Sequence, residues 1–94
     1  MMVVEYETDN YEWCYDSAYG VGRFIRKSDN AVTYLETGSD CDTIRNALSR
    51  LATNRPGRNP NCFDAKGREI FDSMAQEYTF HDGYVPLASN MPQE

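Results

Sequence analysis

The residues that could bind a metal are scattered along the chain. Cys14, Cys41, Cys62 and His81 are enough in number for a Cys₃His zinc site. Common structural zinc sites take two ligands from a Cys-x₂₋₄-Cys pair, and no two cysteines here lie that close. An odd number of cysteines also does not suit a small secreted disulfide scaffold. We therefore expect no metal, no cofactor and reduced cysteines that act as small apolar side chains.

Nucleophilic catalysis would require a thiol or hydroxyl next to a base. Cys41 or Cys62 with His81 is the combination that the chain offers, because His81 is its only histidine. His81 lies in the polar segment "FHDG", which predicts an exposed turn histidine. The segment "YGVGRF" has only Gly20 and Gly22, fewer glycines than a dinucleotide or phosphate loop needs, so these predict a strand bend or bulge. We predict that the protein is not an enzyme.

Arginines in the middle of the chain are the first candidate binding group. The block 45–68 includes the stiff loop "NRPGRNPNC" and has one acid, Asp64; its arginines are Arg45, Arg50, Arg55, Arg58 and Arg68. Arginine suits bidentate contact with carboxylate or phosphate. This block could therefore bind an acidic protein, a nucleotide or a nucleic-acid backbone. The ordinary interpretation is that its arginines pair with acids of the same chain or remain solvated.

Acidic and aromatic residues crowd the first 20 positions, which contain five acids and no Lys or Arg. Tyr and Trp anchor many interfaces because they bury a large area and keep a polar group. The predicted acidic and aromatic surface comprises Glu5, Tyr6, Glu7, Tyr11, Glu12, Trp13, Tyr15, Asp16 and Tyr19. Such a surface would suit a partner that normally binds nucleic acid through Lys and Arg. The alternative is that alternate residues of this stretch contribute to the core.

Length and charge limit the class of protein. Ninety-four residues form one small domain, 1–94, whose last residues, 88–94, we expect to be frayed. The net charge of −6 argues against general binding of nucleic acid or anionic membranes by the whole surface. No signal peptide and no apolar run of membrane-spanning length is visible. These features favour a cytoplasmic protein, in the host cytoplasm if a phage encodes it.

Strand patterns occupy the first third of the chain. Residues 2–6 form a short strand pattern, and residues 11–20 fit both the strand and the helix period. Residues 23–36 predict a β-hairpin whose turn, Ser28-Asp29-Asn30, contains residues that tolerate the left-handed conformation.

Helical patterns follow. A helix at about 40–53 has Ser39 as its predicted N-cap, and a second at about 65–79 has Asp64 as a candidate cap, although 62–71 also fits a hairpin. The predicted fold is α+β, with a small antiparallel sheet built around the 23–36 hairpin and both helices packed on one face. The predicted core residues are Phe24, Val32, Leu35, Ile44, Leu48, Leu51, Phe71 and Met74.

A binding role follows from the absence of a catalytic group. We predict a protein-binding inhibitor or modulator that uses the acidic, tyrosine-rich surface and the arginine loop. Small acidic domains of this kind are common among phage-encoded, anti-CRISPR-like inhibitors of bacterial defence or nucleic-acid-handling complexes, an analogy from size and charge. The partner is expected to be a protein, and a homodimer is compatible with the sequence. The alternative is a small nucleotide- or nucleic-acid-binding domain that uses the 45–68 block.

Overall fold

The computed structural model describes residues 1–52 and 62–82. Its elements, in chain order, are β1 (Met2–Glu7), β2 (Tyr11–Asp16), β3 (Val21–Arg26), β4 (Ala31–Thr33), β5 (Glu36–Thr37), α1 (Gly38–Leu51), α2 (Ala65–Gln76) and β6 (Phe80–His81). The predicted α+β class, with a small antiparallel sheet and two helices, is confirmed. Neither helix within the described ranges is long and apolar enough to cross a membrane. The predictions for Arg55, Arg58 and the tail 88–94 concern residues outside the described ranges.

The sheet is antiparallel, with strand order β1-β2-β3-β4-β6, and β5 also pairs with β3. The predicted hairpin is present as β3 and β4, in which Ile25 lies opposite Val32. Its turn has the predicted chemistry, because Asn30 is left-handed (φ 61°) and Asp29 accepts a hydrogen bond from the backbone N–H of Ala31 at 3.1 Å. The segment that fitted two periods begins with strand β2 and not with a helix.

The core lies between one face of the sheet, called the front face here, and the two helices. Trp13 of β2 and Phe24 of β3 are opposite one another in register and are fully buried. They belong to one apolar cluster with residues of both helices: Ile44 and Leu48 of α1, and Phe71 and Ala75 of α2.

Most predicted core residues are found where they were expected. Phe24, Ile44, Leu48 and Phe71 belong to the cluster, Leu51 and Met74 pack against it partly buried, and Val32 is buried on the other face of the sheet. Leu35 is only half-buried and is not part of the cluster, which corrects that prediction.

Helix α1 begins earlier than predicted. Its N-cap is Thr37, which makes no side-chain capping bond, so the prediction of Ser39 as the cap was wrong. Thr37 still pairs with Val21 of β3, and the left-handed Gly38 (φ 60°) turns the chain directly from the sheet into the helix. Ser39 is therefore already inside the first turn.

Helix α2 begins as predicted, and the hairpin alternative for 62–71 is excluded because Ala65–Gln76 is helical. The Asp64 side chain accepts a hydrogen bond from the backbone N–H of Gly67 at 2.7 Å, which caps the first turn. In the sequence, Gly67 favours the hairpin alternative, because glycine is unfavourable inside a helix. It is buried, and an added Cβ would lie 3.3 Å from the Phe63 Cβ, so a small residue is favoured here in spite of its low helix propensity.

Removal of the α2 cap should destabilise the protein measurably. Asp64→Ala leaves the N–H of Gly67 without its acceptor, and we expect a loss of about 1 kcal/mol in the free energy of unfolding, measured by urea denaturation. Ser39→Ala is the matched control, because Ser39 does not cap α1, and it should change stability much less. Equal losses in the two variants would contradict this assignment of the caps.

Candidate functional site

The acidic N-terminal strand and the basic block meet in the ion pair of Glu5 with Arg45. Arg45 of α1 donates from Nε to Oε1 of Glu5 at 3.0 Å and from Nη2 to Oε2 at 2.7 Å. Its guanidinium also lies over the ring of Tyr15, 3.7 Å from the centroid. The hydrogen bonds to Glu5 raise the pKa of Arg45, and partial burial opposes that increase. For Arg45 the ordinary interpretation of the basic block is therefore correct.

A bulge in β1 allows Glu5 to make this contact. Val4 lies opposite Cys14 and Tyr6 lies opposite Trp13, so the register shifts between them and Glu5 has no partner in β2. The indole Nε1 of Trp13 donates to Oε1 of Glu5 at 3.3 Å. The Glu5 carboxylate thus joins the edge strand, the core tryptophan and α1.

A shallow depression lies beside this ion pair, where β1 and α1 run next to each other. Its volume is about 230 Å³, and it is lined by Glu5, Tyr6, Arg45, Asn46 and Ser49. In the described part of the chain β1 pairs only with β2, so its outer edge is unpaired. Val3 is 42% exposed on this strand and Met1, just before it, is 89% exposed. We call this region, formed by Met1, Val3, Glu5, Tyr6, Arg45, Asn46 and Ser49, the β1-edge surface.

Three residues of the predicted acidic and aromatic surface lie inside the protein. Tyr11, Trp13 and Asp16 are all buried. Tyr11 and Trp13 alternate onto the front face that the helices cover, and Asp16 accepts a hydrogen bond from the N–H of Ala18 at 3.0 Å. These three residues cannot form an exposed surface in this fold, which corrects that part of the prediction.

The other members of that predicted surface do not form one continuous patch. Tyr6 and Tyr15 pack partly against the core, and Glu7 forms an ion pair with Lys27 at 2.8 Å. Glu12 lies opposite Ile25, on the face of the sheet away from the helices. Tyr19 is 74% exposed in the turn after β2.

The described arginines of the basic block do not converge on one site. Arg45 is held by Glu5, and Arg68 donates to the backbone carbonyl of Phe63 at 3.0 Å. Arg50 is exposed in the last turn of α1. Arg55 and Arg58 lie outside the described residues.

Comparisons with protein-family models, with curated proteins and with solved structures found no match to this chain. A function for this chain therefore has to be inferred from the geometry of the described residues.

A group of acids that the sequence did not single out lies where β5, α1 and α2 come together. Burial raises the pKa of the Glu36 carboxyl, and the charge of Asp40 raises it further. Burial raises the pKa of the Tyr78 phenol, and the charges of Glu36, Glu77 and Asp40 raise it further. These residues are spread over 36–78 in sequence, so only the fold places the charges near each other.

The cysteines and His81 differ in their surroundings. Cys14, Cys41 and Cys62 are buried, as expected for small apolar side chains. Among the described residues no group of three or more His, Cys, Asp or Glu could bind a metal ion. His81 is half-buried in β6 and its ring contacts the ring of Tyr34, so the prediction of an exposed turn histidine was wrong.

Cys14 should be unreactive in the folded protein. Burial, assisted by the charge of Glu12, raises the pKa of its thiol to about 12, so the thiol remains protonated at about pH 8. A maleimide should label Cys14 slowly in the native protein and rapidly in denaturant, as read by mass spectrometry. The neutral thiol also contributes stability below about pH 9, which is lost as the pH rises toward 12 because the unfolded thiol ionises first. Equal labelling of Cys14 in the native and unfolded protein would contradict this prediction.

Proposed function

We propose that this chain is a non-catalytic, protein-binding inhibitor or modulator, and that it binds an extended segment of its partner along the β1-edge surface. The observation that carries the proposal is the outer edge of β1, which pairs with no strand in 1–52 or 62–82 and lies next to the depression between β1 and α1. An edge strand presents free backbone N–H and C=O groups, which another extended chain can satisfy.

The backbone of β1 determines what can bind there. Its flat part is Met2–Val4, because the bulge follows between Val4 and Tyr6. A bulge bends an edge strand and limits long, unspecific strand pairing. A short extended segment therefore fits this edge better than another complete sheet.

The side chains of this surface provide contacts of two kinds. Val3 and Met1 expose apolar area beside the flat part of the strand. The depression presents the polar groups of Asn46 and Ser49 and the Glu5–Arg45 pair. In strand addition, main-chain hydrogen bonds supply affinity, and pockets for alternate side chains supply specificity.

The class of partner is inferred from the charge of the chain. A net charge of −6 favours association with a basic protein, and proteins that handle nucleic acid are the main class with such surfaces. We propose a nucleic-acid-handling complex, such as a bacterial defence complex inhibited by a phage protein. Long-range steering of this kind should make the association rate fall as salt is added.

The alternative, a nucleotide or nucleic-acid site on the 45–68 block, has less support. Arg45 already binds a carboxylate of its own chain, and Arg68 is bonded to a backbone carbonyl. We therefore retain protein binding as the proposed function.

The test uses affinity capture with nuclease treatment, followed by identification and purification of the captured protein. Val3→Asp should weaken its binding at least about tenfold, because a charge is placed where the partner strand packs. Ile70→Asp, on the exposed face of α2, is the matched control and should bind normally. Hydrogen exchange of the complex should show new protection of the amides of Met2–Val4.

Two results would overturn the proposal. One is a complex in which the β1 amides exchange as in the free protein while Ile70→Asp abolishes binding. The other is a captured ligand that nuclease removes and that contains no protein, which would favour the nucleic-acid alternative. Both variants should first be compared by circular dichroism, so that a loss of binding is not a loss of folding.

A further inference from the structure

Among the residues that the structure describes, the face of the sheet away from the helices, called the back face here, carries two nitrogen atoms without hydrogen-bond partners. They are Nε of Arg23 in β3 and Nε2 of His81 in β6, and both atoms are shielded from solvent. A buried donor without an acceptor is costly, so most such groups in folded proteins are bonded to protein or water. Two of them on one face need a physical explanation.

The strand register places these two residues near one another. Ile25, Val32 and His81 form a row across β3, β4 and β6 on the back face. Arg23 is two residues from Ile25 along β3 and therefore projects from the same face. Strand β3 pairs with β4 where Ile25 lies opposite Val32 and with β5 where Gly22 lies opposite Glu36, so the connection that contains Tyr34 runs beside the Arg23 position.

Tyr34 packs against one of these two side chains, His81. Its ring centroid lies 3.8 Å from that of His81, and the tyrosine is 65% exposed. The back face therefore carries the guanidinium of Arg23 on β3, the imidazole of His81 on β6 and the phenol of Tyr34 in the connection between β4 and β5.

We propose that Arg23, Tyr34 and His81 form a binding site for an oxyanion, either a carboxylate or a phosphate. The Nε–H and one Nη–H group of an arginine can donate two parallel hydrogen bonds to two oxygens of the same oxyanion. The Nε2 of His81 donates to an oxyanion in its Nε2–H tautomer and in its protonated form. The site is separate from the β1-edge surface and does not depend on the proposed function.

The surrounding groups determine how strongly an anion can bind. Cys14 lies opposite Arg23 and is neutral because burial raises the pKa of its thiol to about 12. Glu12 lies opposite Ile25 on the same face, and within the described ranges it forms no ion pair. Its charge opposes an incoming anion, so Glu12→Gln should tighten binding.

The test is an NMR titration of the ¹⁵N-labelled chain with inorganic phosphate and, separately, with acetate, at fixed pH and ionic strength. His81 is the only histidine, so its Nε2 signal is unambiguous. We expect saturable shifts of His81 Nε2 and Arg23 Nε–H. Saturation by phosphate alone identifies a phosphorylated ligand, saturation by acetate alone identifies a carboxylate, and both results support the site.

Variants separate this site from general charge effects. Arg23→Gln should weaken binding about tenfold or more, and Arg23→Lys should weaken it as well, since lysine retains the charge but cannot present the fork. Arg50→Gln removes an exposed charge on α1 and is the matched control. If the Arg23 variants do not fold, His81→Gln with the Arg23 Nε–H signal as the readout tests the same site. Shifts that do not saturate, or an equal loss in Arg50→Gln, would overturn the proposal.

Discussion

Gly22→Ala should lower the free energy of unfolding by about 3 kcal/mol, although it adds a single methyl group. Gly22 is buried in β3, and a Cβ at this position would lie 2.5 Å from Cζ2 and 2.6 Å from Cη2 of Trp13. It would also lie 2.9 Å from the backbone oxygen of Cys14, which cannot move without disturbing the β2–β3 ladder. The tryptophan is fully buried, and a close-packed interior resists a shift of so large a ring.

Gly20→Ala is the matched control for this prediction. Gly20 has φ 67°, and a Cβ there would meet nothing within 4 Å, so alanine should cost only the left-handed backbone, about 1 kcal/mol. A double variant with Trp13→Phe should recover part of the loss at Gly22, because phenylalanine lacks the ring atoms that clash. Urea denaturation gives the free energy of unfolding of the unchanged protein, the two glycine variants and the double variant. A Gly22→Ala variant as stable as Gly20→Ala would show that the core yields to the methyl group.

Gly22 also illustrates how far the sequence could predict the fold. Two glycines near a strand predicted a bend or bulge, and Gly20 does form a turn with positive φ. For Gly22 the reason is instead the close approach of Trp13 across β2 and β3, which no local pattern contains. Local patterns predicted the 23–36 hairpin and the two helices because their turn, cap and apolar positions lie within a few residues of each other.

Strand β2 could not be assigned from its pattern for a physical reason. Half-buried strands alternate between apolar and polar residues, but β2 is buried on both faces. Tyr11 and Trp13 lie in the core under the helices, while Cys14 and Asp16 are buried on the back face. Buried and exposed residues therefore do not alternate along β2, and the same residues also fit the period of an amphipathic helix.

The sequence predicted the type of contact at the candidate site but not the residues that make it. The acidic start and basic middle of the chain indicated that opposite charges could meet. The pairing of Glu5 with Arg45 spans 40 positions and depends on a bulge in β1 and on the placement of α1. The same limit applies to Arg23 and His81, which only the order of β3, β4 and β6 brings onto one face.

Phe24→Ala is the second variant with a large expected effect, a loss of about 4 kcal/mol in the free energy of unfolding. Phe24 is fully buried at the centre of an aromatic group that joins the sheet to α2. Its ring centroid lies 5.0 Å from that of Trp13, 5.8 Å from that of Phe71 in an edge-on arrangement, and 5.4 Å from that of Tyr78. Removal of the ring leaves a cavity and deletes three aromatic contacts at once.

Such a loss is a large part of the total stability, since the free energy of unfolding of such domains is about 5–15 kcal/mol. Phe24→Leu retains most of the buried volume and should cost about 1.5 kcal/mol, while Ile70→Ala, at a partly exposed position of α2, should cost less than about 1 kcal/mol. Phe24 joins β3 to α2. As urea is added, the alanine variant should therefore lose its near-ultraviolet circular dichroism at a lower concentration than its far-ultraviolet signal. If Phe24→Ala were no more destabilising than Phe24→Leu, the contacts of β3 with α2 could not be what holds the helix on the sheet.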